Sequence, residues 1–112
     1  MAEASIRNIA EVPWEELPGH HGGAFSKLLV HPETTGSRHI DHRIAANQAR
    51  AFVAPHTHKV QEQVYHVLDG EGLMEIENTG RVVRKQDVIF IPPGLQHALY
   101  NTGLTGRVFL VV

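Results

Sequence analysis

The stretch from Gln63 to Asn101, QVYHVLDGEGLMEIENTGRVVRKQDVIFIPPGLQHALYN, decides the fold. Its apolar runs QVYHVL, LMEIE, RVVRK, DVIFI and HALY are four to six residues long. The turn signals DGEG, NTG and PPG interrupt them before a helical period can establish itself. Short runs rich in Val, Ile, Phe and Tyr, with Gly, Pro, Asn and Asp between them, describe an all-β sandwich or barrel. The pattern continues outward on both sides. Towards the N-terminus lie AFSKLLVH, PETTGS, RHIDHRIAA, NQAR and AFVAPHTH, and towards the C-terminus NTG and RVFLVV. Residues 24–112 therefore read as one barrel domain. Residues 1–23, broken by Pro13, Pro18 and the GHHGG cluster, read as a leader or arm packed outside the barrel or across a partner. Helical bundles and Rossmann-type folds are excluded.

Composition narrows the function. With 112 residues, 42% of them apolar and 20% charged, the chain can bury one ordinary core and lacks the signature of disorder. Net charge is -2 and Lys and Arg are scattered, so nucleic acid is not an expected partner. No apolar run approaches the roughly 18 residues of a membrane span. The start MAEASIRNIAEVPWEEL lacks a signal peptide's basic head and apolar centre, so no membrane partner and a cytoplasmic location are expected. The absence of Cys removes disulfides, thiolate metal sites and a Cys nucleophile. The outlying number is nine His against four Phe and two Tyr, which puts metal binding or acid–base chemistry first.

Spacing selects among the nine. His56 and His58, two apart in a β-type run, should project from one face of a strand and reach one ion. Composition alone would produce about 0.7 such pairs, so the pair needs support. Gln63 follows five residues later and precedes Gly70 by seven, and Pro92, Gly94, His97 and Asn101 form a PxGxxHxxxN string. The segment from about Arg50 to Asn101 resembles the two motifs of the cupin superfamily, small metal-binding jelly-roll β-barrels. RAFVAPHTHKVQEQVYHVLDG is similar to the first motif, Gx5HxHx3-4Ex6G, and QDVIFIPPGLQHALYN to the second, Gx5PxGxxHxxxN. The resemblance implies a single divalent transition metal ion (Zn, Ni, Fe or Mn) on His56, His58, Gln63 and His97, with open positions for water or an oxygen-bearing substrate.

Three departures stand out. Arg50 and Gln86 replace the leading glycines, which bears on turn geometry more than on chemistry. Gln63 stands where the family usually has Glu. Glu62 is one residue away, but a one-residue shift sends a strand side chain to the opposite face, so the register selects Gln63 unless a bulge intervenes. Three imidazoles and a neutral amide leave a divalent ion at +2 rather than +1, a stronger Lewis acid and a poorer support for high-valent iron. Cupins with a His, His, Gln, His set include carbohydrate-acid and polyketide isomerases and cyclases. The leading expectation is therefore a non-redox isomerase, cyclase or lyase acting on a small oxygen-rich compound. The alternatives are a dioxygenase cleaving a carbon–carbon bond and a binding or sensing module without catalysis.

Tyr65 shares the Gln63 face, either as a proton donor or ligand-orienting group or as a core Tyr with a satisfied hydroxyl. In RHIDHRI, the apolar face of Ile40, His42 and Ile44 is expected inside, which makes His42 a candidate catalytic wall residue. Arg43 or Arg38 could clamp a carboxylate only with the strand set the other way. Phe52, Ala54, Leu99, Val88 and Phe90 are expected to give the cavity an apolar lining. His66 reads as structural, and His20, His21 and His31 as surface or dimer contacts. A homodimer covering an edge strand and an apolar sheet face is expected, with a small molecule as the other partner.

Overall fold

The computed structural model describes residues 3–103 and 107–111. Among them are ten strands and a single 3-10 turn, Ile9–Glu11, in which the Asn8 side chain accepts from the Ala10 N–H. The strands are β1 (His20–His21), β2 (Ala24–Val30), β3 (His42–Asn47), β4 (Phe52–His56), β5 (Gln63–Asp69), β6 (Glu71–Ile76), β7 (Thr79–Arg84), β8 (Val88–Ile91), β9 (His97–Tyr100) and β10 (Arg107–Val111). They form two five-stranded antiparallel sheets, ordered β1-β4-β9-β6-β7 and β2-β3-β10-β5-β8. This is the all-β jelly-roll arrangement, and no described helix is long and apolar enough to cross a membrane.

The inner faces of the sheets meet around Tyr65, Val67, Met74, Val83, Ile91, Leu99 and Phe109. Strand alternation explains the set: on β5, Gln63, Tyr65 and Val67 are buried, while Val64 and His66 are only partly covered. β8 follows the register of β5. Ile91 lies opposite Gln63 and Ile89 opposite Tyr65, which sends Val88 and Phe90 to the outer surface, 64% and 54% exposed. The expected contribution of Val88 and Phe90 to the cavity is thereby corrected.

The segment before β2 is built into the sandwich. Glu15 and Ser26 exchange backbone hydrogen bonds of 2.8 Å each, and His20 and His21 pair with Val53 and Phe52 of β4. The glycines flanking the two histidines make this possible, since Gly19, Gly22 and Gly23 all adopt positive φ. Arg50 and Gln86, at the positions of the missing motif glycines, also adopt positive φ, 65° and 73°. The turns keep a glycine-type backbone with a side chain attached, a strained state for such residues.

Candidate metal centre

His56 ends β4, His58 lies two residues beyond it, and His97 opens β9, where it pairs with His56. The expected single strand carrying both His56 and His58 is thus replaced by a strand end and the loop after it. The β4–β9 register runs Phe52 to Tyr100, Val53 to Leu99 and then His56 to His97, so β4 holds one extra residue across Ala54 and Pro55. Pro55 has no N–H to give to a ladder, and a bulge is where a strand tolerates it. The bulge inverts the phase assigned to Phe52. Val53, opposite Leu99, faces inward with it, and Phe52 stacks outside between His21 and Tyr100.

The three imidazoles converge. Their nearest ligand nitrogens all lie within 4.8 Å of one another, and the ring centroids of His56 and His97 are 4.1 Å apart. His56 Nδ1 donates to the Ala54 carbonyl at 2.9 Å and His97 Nδ1 to the Leu95 carbonyl at 3.0 Å. With Nδ1 of each ring turned to a carbonyl, Nε2 is the nitrogen left to face a metal ion. His58 Nε2 is buried and makes no hydrogen bond. Burial holds His58 below the usual histidine range, with His56 and Arg43 adding to the effect and Asp41 opposing it. His97 is likewise lowered, first by burial and further by His56 and His58, against the pull of the Leu95 carbonyl. Three convergent imidazoles with one orphaned nitrogen fit a divalent transition metal ion.

Gln63 enters the same cluster. Its side chain is 8% exposed and its Oε1 lies 2.8 Å from His97 Nε2, while Glu62 is exposed on the other side of the strand. The Tyr65 hydroxyl donates to Gln63 Oε1 at 3.4 Å. Burial pushes the Tyr65 phenol up to about 12, so it stays protonated and acts as a donor that orients the amide.

Beside the triad lies a cavity of about 400 Å³, within the range of small-molecule sites. Of β3, it is Arg43, Ala45 and Asn47 that line it, so His42 falls out of phase and outside the lining. The polar face of this strand turned inward because its side chains are small or paired: Arg43 donates to Asp41 at 3.0 and 2.6 Å. His20 and Ser26 also line the cavity. The sequence left His20 on the surface and gave no reason to single out Ser26 or Asn47, since the pairing of β1 with β4 and of β2 with β3 alone brings them there. Among the described residues that line the cavity there is no Asp or Glu.

Comparison with known proteins fits this geometry. Residues 44–112 match the cupin domain family. The chain belongs to the cupin family. Among similar proteins, this cupin is 42% identical over 87 residues to the uncharacterized protein MJ1618 of Methanocaldococcus jannaschii, a match covering 72% of this chain and 65% of that one. The match therefore spans a little under two thirds of that relative's length. It is 26% identical over 106 residues to an oxalate-binding protein of Thermotoga maritima, covering 92% of this chain and 88% of that one. In fold it is similar to the polyketide cyclase RemF of Streptomyces resistomycificus, with a TM-score of 0.84 at 20% identity over 97% of this chain and 78% of that one.

Proposed function

We propose that this cupin is a non-redox metalloenzyme, an isomerase, cyclase or lyase, that acts on a small oxygen-rich organic acid. Its metal ligands are His56, His58, His97 and, as the neutral fourth, Gln63. The observation that carries the reading is the 2.8 Å approach of Gln63 Oε1 to His97 Nε2 in a cavity whose described lining holds no carboxylate. With its Nδ1 proton committed to Leu95, His97 presents a lone pair to the amide oxygen, and two facing acceptors are what a shared cation reconciles. When bound, the ion supplies Lewis acidity, polarising a carbonyl or carboxylate oxygen and stabilising an enolate-like charge.

The chain's own residues do the rest. Ala54 and Leu95 carbonyls hold the rings of His56 and His97 in orientation, and the Tyr65 hydroxyl holds the Gln63 amide. Arg43, fixed from behind by Asp41, presents positive charge to an anionic ligand. Val53, Leu99 and Phe109 supply apolar wall that limits water. A second reading, capture of a carboxylate without turnover, has support in the likeness to an oxalate-binding protein and in the lack, among the described lining residues, of a carboxylate to act as base.

The reading extends to a homodimer through the surface around β8, an edge strand whose Val88 and Phe90 stand exposed.

The test is metal analysis of purified protein followed by oxygen uptake across a panel of diketones and sugar acids. One divalent ion per chain, substrate-dependent spectral change and no oxygen consumption are expected. Oxygen uptake with carbon–carbon cleavage would make it a dioxygenase, and ligand binding with no conversion would make it a binding module.

A further inference from the structure

Four buried side-chain polar atoms among the described residues make no hydrogen bond: His20 Nδ1, Ser26 Oγ, Asn47 Oδ1 and His58 Nε2. All four belong to residues that line the one cavity beside the triad. The metal reading accounts for His58 alone. Leaving a buried polar group unsatisfied costs about 1–3 kcal/mol, so three further orphans around one cavity call for a partner of their own.

Topology sets two of these three apart from the triad. Ser26 on β2 and Asn47 on β3 stand on the sheet opposite the one that carries His56 and His97. Ala24 pairs with Asn47 and Ser26 with Ala45, which makes Ser26 and Asn47 diagonal neighbours on the inward face. Ser26 is 0% and Asn47 2% exposed. Their backbones are already engaged: Ser26 exchanges both bonds with Glu15, and the Asn47 carbonyl accepts from Asn101 Nδ2 at 2.9 Å. Only the side-chain atoms are left over. Arg43, on the same face of β3 as Asn47, has Nε and one Nη committed to Asp41 and its other Nη uncommitted. His20 reaches the cavity from β1, on the same sheet as His56 and His97, held by its pairing with Val53.

We infer that Ser26, Arg43 and Asn47, with His20 across the cavity, form a second polar subsite, apart from the metal ligands, for the far end of the ligand. Its donors and one acceptor match a hydroxyl next to a carboxylate, with Ser26 and Arg43 donating to the anion and Asn47 Oδ1 accepting from the hydroxyl. The preferred ligand is therefore a hydroxy or oxo acid several carbons longer than oxalate, one end on the metal and the other against β2 and β3. This rests on the metal reading given above.

Calorimetric titration of the Zn-loaded protein with oxalate, malate, 2-oxoglutarate and gluconate tests it. Oxalate is the probe that reaches only the metal. Ser26→Ala removes one orphan hydroxyl and nothing else, so its melting temperature should equal or exceed that of wild type. Asn47→Ala keeps the backbone acceptor of the Asn101 bond. Wild type should bind at least one longer acid more tightly than oxalate. Each variant should weaken that acid by about 2- to 10-fold, the worth of one hydrogen bond, and leave oxalate unchanged. Longer acids that bind no better than oxalate, or variants that bind every probe like wild type, would overturn the subsite while leaving the metal site standing. Failure of wild type to bind oxalate would overturn the metal reading, and the subsite with it.

Discussion

Gln63→Glu changes one atom type at the point where the metal reading is most exposed. The amide oxygen lies 2.8 Å from His97 Nε2 and is nearly buried, so the introduced negative charge falls within the ligand cluster and not in solvent. Two unit charges about 4 Å apart interact by about 1 kcal/mol in water and about 4 kcal/mol at an effective dielectric of 20. A half-open cavity lies between these limits. Oxalate binding to the Zn-loaded variant should therefore weaken by about 2 kcal/mol, roughly 30-fold, because the net charge of the site drops from +2 to +1. Metal retention should not suffer. Without metal, a buried carboxylate beside neutral imidazoles is uncompensated, so the melting temperature of the metal-free variant should fall and its rise on adding Zn should exceed that of wild type. Calorimetry with oxalate and thermal denaturation with and without Zn read both effects, with Glu62→Gln as a silent control. An oxalate affinity within twofold of wild type, together with an unchanged Zn-induced rise, would refute Gln63 as a ligand.

Acid should weaken the metal-free protein. His20, His58 and His97 are all held below their ordinary value of 6.5, chiefly by burial, so the unfolded chain takes up protons first as pH falls. Full stability is expected above 6.5 and progressive loss below it, measured as melting temperature against pH; a flat profile would count against neutral buried imidazoles. Arg50→Gly and Gln86→Gly relieve positive-φ strain and should each stabilise by up to about 1 kcal/mol, seen as a later urea midpoint; destabilisation would mean their side chains matter more than their backbones. Phe90→Glu on exposed β8 should shift the protein to monomer in light scattering, and an unchanged mass would remove that face as the dimer contact.

The strand pattern and the triad were legible because both depend on short-range rules. Turn residues at DGEG, NTG and PPG mark strand ends directly, and period-two alternation on β5 places Gln63 and Tyr65 inside and Glu62 outside. The misread residues depend on events that alternation does not encode. Pro55 imposes a bulge that inverts the phase of Phe52, and pairing with β5 turns Val88 and Phe90 outward. On β3, the ion pair with Asp41 holds Arg43 in place and lets the polar face turn inward, so hydrophobicity chose His42 wrongly as a wall residue. His20 enters the cavity only through a two-residue pairing with β4, which leaves almost no trace in sequence.

The central claim is that one metal ion is bound by His56, His58 and His97. Its most direct test is the metal content of exhaustively dialysed wild type beside the His56→Ala/His97→Ala double variant, with circular dichroism to verify that both are folded. The account predicts one divalent ion per wild-type chain and none in a variant that keeps its β-sheet spectrum, since Val67, Met74, Ile91 and Phe109 hold the core without the ion. A folded double variant that retains stoichiometric metal would contradict it and place the ion elsewhere.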